Sequence, residues 1–227
     1  MKLLHILVFT AAQTFGQIQF PIKIIDGITT IEIPLDSGPK CATLALSGKS
    51  AGLKWDRMAG RLRQFDSPTL ILGPDILRYM PQPIAIDYEN MRLSAGYQVS
   101  DRVPLSAKFS RNGIELDLRV RWKKYKIGLF PQNADAVRMH PHKKMRFLHG
   151  YSQQMDSGRY YPSIGVEIGD REYGYGIVIS QAKGNQMGTS FIHGFDWVID
   201  FSNKTVSARK NNRPFQNALS PTASAVE

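Results

Sequence analysis

The 227-residue chain has one cysteine, Cys41. No intrachain disulfide can form and a cysteine-based zinc site is excluded, so stability has to come from packing. Carboxylates are also in short supply: 19 Asp and Glu stand against 29 Lys and Arg, a formal charge of +10. That surplus favours an anionic surface as partner without saying which. The densest basic runs, RVRWKKYK (119–126) and HPHKKMR (140–146), read as solvated strand or loop faces. Long helical periodicity is nearly absent, which excludes helix-dominated classes. No segment after the N-terminus approaches the roughly 20 apolar residues that span a bilayer, so no transmembrane segment is expected.

The beginning, MKLLHILVFTAAQTFGQ, has one Lys, an apolar stretch from Leu3 to Ala12, and then small and polar residues. That is the layout of a secretory signal over residues 1–16, and it implies a secreted or periplasmic protein. The end, NALSPTASAVE, is small and polar, and 213–227 reads as a flexible tail.

Between them, short β-branched or alternating runs recur at turn signals: PIKII before Asp26-Gly27, ITTIEIPL before Asp36-Ser37-Gly38, GIELDLRVRW, SIGVEIGDREYGYGIVIS and WVIDFSNKTVSA. Each has the length of a strand or hairpin, so the expected class is all-β with short helices. The best helix candidate is PDILRYM after Gly73, with Pro74 in the first turn, where its missing N–H costs little.

The chain also repeats itself. LGPDILRYMPQPIAIDYENMRLSA (72–95) and MGTSFIHGFDWVIDFSNKTVSA (187–208) share an apolar residue before Gly, two apolar positions three residues on, and then Ile-Asp-aromatic-x-Asn-x-x-apolar-Ser-Ala. The spacings are 188 − 73 = 115 for the glycines and 200 − 87 = 113 for the aspartates, so one unit is used twice. In each copy the pattern predicts a hairpin. Asp87 or Asp200 ends a strand and anchors hydrogen bonds, Asn90 or Asn203 takes the turn, and the aromatic packs inward.

An Asp-Ser-Gly after an apolar strand, followed by apolar-apolar-Gly, a short helix and Ile-Asp-aromatic-x-Asn, resembles the aspartic peptidases of the pepsin and retropepsin type. The matching pieces are IPLDSG (33–38), LILGPDIL (70–77), IAIDYENMRL (84–93), VEIGDREYGYGIVIS (166–180), QMGTSFIHGF (186–195) and WVIDFSNKTVSA (197–208). The resemblance implies a two-lobed acid-protease-like β-barrel fold with an internal pseudo-two-fold repeat. Its N-terminal lobe would span 17–100, trimmed, and its C-terminal lobe 101–212, facing each other over a peptide-binding cleft. In that family two close carboxylates share a proton; one acts as base on water while the other donates to the scissile carbonyl.

Asp36 fits the first acid position, with Ser37 and Gly38 forming the active-site loop; Pro39 departs from the small residue usual there. The second half has no obvious counterpart. Its loop is expected between Trp122 and Gln132, where the best strand end reads Phe130-Pro131-Gln132, and Asp135 lacks a following Gly. A second Asp-Ser-Gly, Asp156-Ser157-Gly158, follows polar HGYSQQM and lies only 188 − 156 = 32 residues before Gly188. Asp156 is therefore a candidate partner acid or an exposed turn.

Two function classes follow: a degenerate relative that binds a peptide or protein in the cleft, or an active aspartic endopeptidase. The second would use Asp36 with Asp156, or two copies of Asp36 in a homodimer. Monomer and homodimer both stay open, and no cofactor is expected. His140, His142 and His149 have no spacing that fixes a metal geometry, so no metal site is expected. RVRWKKYK, read as one strand, puts Arg119, Arg121 and Lys123 on one face and Val120, Trp122 and Lys124 on the other. That is ordinary amphipathic patterning and no specific nucleic-acid site.

Overall fold

The computed structural model describes residues 18–33, 40–46, 51–55, 83–95, 101–110, 113–141, 151–156, 158–174, 176–181 and 184–215. The stretch 1–16 expected to be a signal, the helix candidate after Gly73, most of the expected tail, and Asp36, Ser37 and Gly38 lie outside these residues. The first strands are β1 (Ile18–Ile25), β2 (Ile28–Ile33), β3 (Lys40–Leu46), β4 (Ala51–Trp55), β5 (Ile84–Asp87) and β6 (Arg92–Ala95). There follow β7 (Val103–Leu105), β8 (Ala107–Ser110), β9 (Gly113–Val120), β10 (Lys123–Leu129), β11 (Val137–Met139), β12 (Gln153–Met155) and β13 (Gly158–Tyr161). Last come β14 (Gly165–Ile168), β15 (Arg171–Gly174), β16 (Ile177–Ile179), β17 (Gln186–Met187), the one-turn helix α1 (Thr189–Ile192), β18 (Phe195–Asp200) and β19 (Thr205–Lys210). The protein is mainly β, as its alternating runs require, and no described helix is long and apolar enough to cross a membrane.

One sheet has the order β4-β3-β2-β1-β6-β5-β18-β19-β7, the other β12-β13-β16-β11-β17-β10-β9-β14-β15, with β8 paired to β9. The repeated hairpins, β5–β6 and β18–β19, lie side by side in the first sheet. Their inner strands run antiparallel, with Ile84 opposite Ile199, Ala85 opposite Val198 and Ile86 opposite Trp197. On the outer sides β6 pairs with β1 and β19 with β7.

Period-two patterning explains which faces are buried. In β9, Ile114, Leu116, Leu118 and Val120 are buried, while Asp117 and Arg119 face solvent. Trp197, Tyr88, Phe191, Phe195, Ile31 and Leu44 are among the largest fully enclosed side chains. Each such burial is worth about 1.5–3 kcal/mol before conformational entropy is subtracted. Phe195 sits at the centre of an aromatic cluster, within 4.9–5.8 Å, centroid to centroid, of Tyr173, Phe191, Phe215 and Trp197.

Two turns differ from the sequence expectation. In the repeated hairpins the left-handed residue is not the Asn but its successor, Met91 at φ 53° and Lys204 at φ 54°. The Asn instead reaches back to the Asp: Asn90 Nδ2 and N donate to Asp87 at 2.9 and 2.8 Å, and Asn203 Nδ2 and N to Asp200 at 2.7 and 2.9 Å. The carboxylate thus holds the turn, as expected of an anchor. The other departure is RVRWKKYK, which is not one strand. The chain reverses at Arg121 and Trp122, so Arg119 and Lys124 become cross-strand partners and share the exposed face.

Candidate functional site

The place to look for a second acid is the segment 130–136, which joins β10 to β11. Those two strands do not pair; β17 is inserted between them, parallel to β10 and antiparallel to β11. Phe130 N–H donates to Met187 O at 2.9 Å, Gly188 N–H to Ala136 O at 2.9 Å, and Thr189 N–H to Asn133 O at 2.7 Å. The segment is thereby laced to the chain around Gly188. A side chain at Gly188 would run into the carbonyl oxygens of Asn133 and Asp135, which is why the position after the apolar Met187 needs Gly. In the first half β2 pairs directly with β3, up to Ile33 opposite Lys40, so the stretch 34–39 that carries Asp36 joins neighbouring strands.

At the inner end of segment 130–136 lies a buried chain of hydroxyls. Pro131 O can only accept, and Thr189 Oγ1 donates to it at 2.6 Å. Thr189 Oγ1 therefore accepts from Thr29 Oγ1 at 2.9 Å, and Thr29 Oγ1 in turn accepts from Tyr88 OH at 2.7 Å. The Thr29 N–H also reaches Pro131 O at 3.0 Å. Burial pushes the Tyr88 phenol well above its ordinary value, and the Thr29 hydrogen bond only partly offsets this, so it stays a donor. Every proton in the chain is committed, and none of its members ionises near neutral pH. The arrangement ties β2, the turn after β5 and the start of α1 together; it has no group able to activate water.

Two described carboxylates of this region, Asp135 and Asp196, are engaged elsewhere. Asp135 holds Arg138 at 2.6 Å and accepts from Gln186 Nε2 at 3.5 Å. Asp156 is exposed, in the connection between β12 and β13, where Met155 faces Gly158 across the hairpin. Asp196 is fully buried and accepts from Glu89 N–H at 3.1 Å, Asn211 Nδ2 at 3.0 Å and Arg209 at 3.0 Å. Its hydrogen bond and charge raise the Arg209 pKa. Among the described residues no three His, Cys, Asp or Glu side chains are grouped to hold a metal. His142 and His149 lie outside them.

His193 is enclosed beside α1, with Nδ1 2.8 Å from Thr189 O and Nε2 2.9 Å from Pro214 O. Both neighbours are acceptors, so a neutral ring satisfies only one of them. Burial nevertheless lowers the pKa, and the charges of Arg213 and Lys210 add to this against the two carbonyl bonds.

Sequence reasoning missed the hydroxyl chain and Asp196. Thr189 directly follows the repeated Gly188 and Tyr88 is the aromatic of Ile-Asp-aromatic-x-Asn, so both were within singled-out motifs. Asp196 had no such signal, since its place in the first copy (196 − 113 = 83) is Pro83. No family model matches the chain, and no curated protein matches it.

Proposed function

We propose that the chain is an aspartic-peptidase-like, two-lobed β protein that binds an extended peptide or protein segment without hydrolysing it. The observation that carries this reading is the symmetry of the strand registers, coupled with the lack of a described acid where the symmetry requires one. Moving each member of the pairs Ile84–Ile199, Ala85–Val198 and Ile86–Trp197 by 113 positions between copies returns the same set of pairs. A two-fold axis between Ala85 and Val198 does this.

The outer strands follow the same rule. Ile22–Ile31, Lys23–Thr30, Ile24–Thr29 and Ile25–Ile28 in the first half become Ala107–Leu116, Lys108–Glu115, Phe109–Ile114 and Ser110–Gly113 on adding 107 − 22 = 85. Ile18–Ala95 and Phe20–Leu93 likewise correspond to Val103–Ala208 and Leu105–Val206. Counted on by 85, Asp36, Ser37 and Gly38 correspond to Arg121, Trp122 and Lys123, with no carboxylate. The other candidate place, 130–136, has only Asp135, engaged by Arg138. One acid cannot serve as both base and proton donor.

An extended ligand gains backbone hydrogen bonds by adding to a sheet edge. β15 ends the second sheet and lies in VEIGDREYGYGIVIS, one of the pieces that resemble the peptidase family, so we assign the ligand to Arg171–Gly174. The test incubates the protein and Asp36→Asn with an unfolded polypeptide at acidic and neutral pH, reading products by mass spectrometry and amide exchange of 171–174 with a bound peptide library. The expected result is no cleavage by either, with slowed exchange in β15. Cleavage that Asp36→Asn abolishes, or unchanged exchange at every peptide concentration, overturns the reading.

A further inference from the structure

The β9–β10 reversal places Arg121 and Trp122 at φ 43° and 52°. A two-residue turn with both residues left-handed is normally built from Asn-Gly or Asp-Gly, which adopt it cheaply. The chain does that at Asp26-Gly27, φ 51° and 71°. Bulky Arg and Trp in the same conformation are backbone outliers of the kind that persist at functional sites. The outcome is a Trp122 ring held at the apex of a hairpin, 71% exposed, while Trp197 is enclosed.

Cationic residues neighbour Trp122 along the hairpin. Arg121 flanks it in the turn, Lys123 follows it, and Arg119 and Lys124 face each other one step back. Of the nearby acids, Glu167 on β14 stands level with Arg119 and pairs with it at 3.6 Å, while Asp117, opposite Lys126, and Glu115, opposite Gly128, lie further from the apex, which leaves Arg121, Lys123 and Lys124 as the net charge of the tip. The tip is thus positive with one aromatic at its summit.

We propose that this apex docks the protein on a lipid bilayer bearing anionic headgroups, with Trp122 at the interface and the surrounding Arg and Lys on the phosphates and carboxylates. An amphipathic ring set among Lys and Arg suits the headgroup region, where each cation adds attraction. The shape favours a bilayer over single-stranded nucleic acid. A convex tip meets a plane, whereas stacking on nucleic acid uses successive rings along a groove. The next ring here, Tyr125, has its hydroxyl enclosed in the protein. The inference does not depend on the peptide-binding reading.

Co-sedimentation with phosphatidylcholine vesicles, with and without phosphatidylserine, at low and high salt, tests it. Binding is expected only with phosphatidylserine and weakens as salt rises. Lys124→Ala lowers partitioning about fivefold, and Trp122→Ala about tenfold. The double change Arg121→Asn with Trp122→Gly supplies a favourable turn, so it keeps or raises the melting temperature while losing most of the binding. Equal binding to pure phosphatidylcholine, or full binding by the folded double variant, overturns the proposal. So does oligouridylate binding that these substitutions abolish while vesicle binding is untouched.

Discussion

Asp196→Ala should be among the most damaging single changes outside the apolar core. The carboxylate is fully buried at the start of β18 and receives three donors, one from Glu89 and two from the stretch 209–211. Glu89 N–H and Asn211 Nδ2 would be left without their acceptor away from bulk water, at about 1–3 kcal/mol each. Asn211 keeps its other bond, to His193 O at 2.9 Å, which places its share at the low end. The Arg209 side chain is 47% exposed and rehydrates, so its share is at most about 1 kcal/mol. The shares add to about 2–5 kcal/mol. For a chain of this length that lowers Tm by roughly 5–20 °C. Asp200→Ala is the control. Its carboxylate holds Ser202 N–H, Asn203 N–H and Asn203 Nδ2 in an exposed turn, and the change should cost about 1 kcal/mol. Urea unfolding of the two variants decides. An Asp196→Ala midpoint within about 1 kcal/mol of the parent, or an equal loss for Asp200→Ala, would refute the reasoning.

Gly188→Ala forces a methyl group against the Asn133 and Asp135 carbonyls and should cost about 2 kcal/mol or more, with loss of amide protection at Thr189 read by hydrogen exchange. Thr189→Val leaves Pro131 O without its hydroxyl donor and breaks the chain, at about 2 kcal/mol, whereas Tyr88→Phe removes only the terminal donor and costs about 1 kcal/mol; denaturant midpoints rank them. His193 has a folded pKa below the ordinary 6.5, burial being the main cause, so the unfolded chain takes up the proton first. Its contribution is therefore full above about pH 6.5 and is lost as pH falls from there toward the folded pKa; His193→Gln should flatten that part of the Tm-against-pH curve.

The all-β class was legible because burial on one side of a strand imposes a period of two, as Ile114, Leu116, Leu118 and Val120 display. The two hairpins were legible for a similar reason: Ile84, Ile86, Ile199 and Trp197 all fill the same enclosed layer, which demands apolar residues at alternate positions of β5 and β18. Turn detail was less so. Asp-x-x-Asn reads equally as an Asn in the left-handed region or an Asn bonded to the Asp, and the folded turn takes the second form. RVRWKKYK failed because alternation continues across a tight reversal, and nothing in Arg-Trp announces a left-handed turn. Asp196 was hidden because its partners come from positions 89, 209 and 211, and long-range pairing of a charge leaves no local pattern.

The symmetry on which the functional reading rests is tested most directly by cross-strand proton contacts between β5 and β18 in an isotope-labelled sample. Contacts centred on Ala85 and Val198, with Ile84 meeting Ile199 and Ile86 meeting Trp197, are the predicted result. A register slipped by one residue, or a β5 that meets some strand other than β18, would contradict the account.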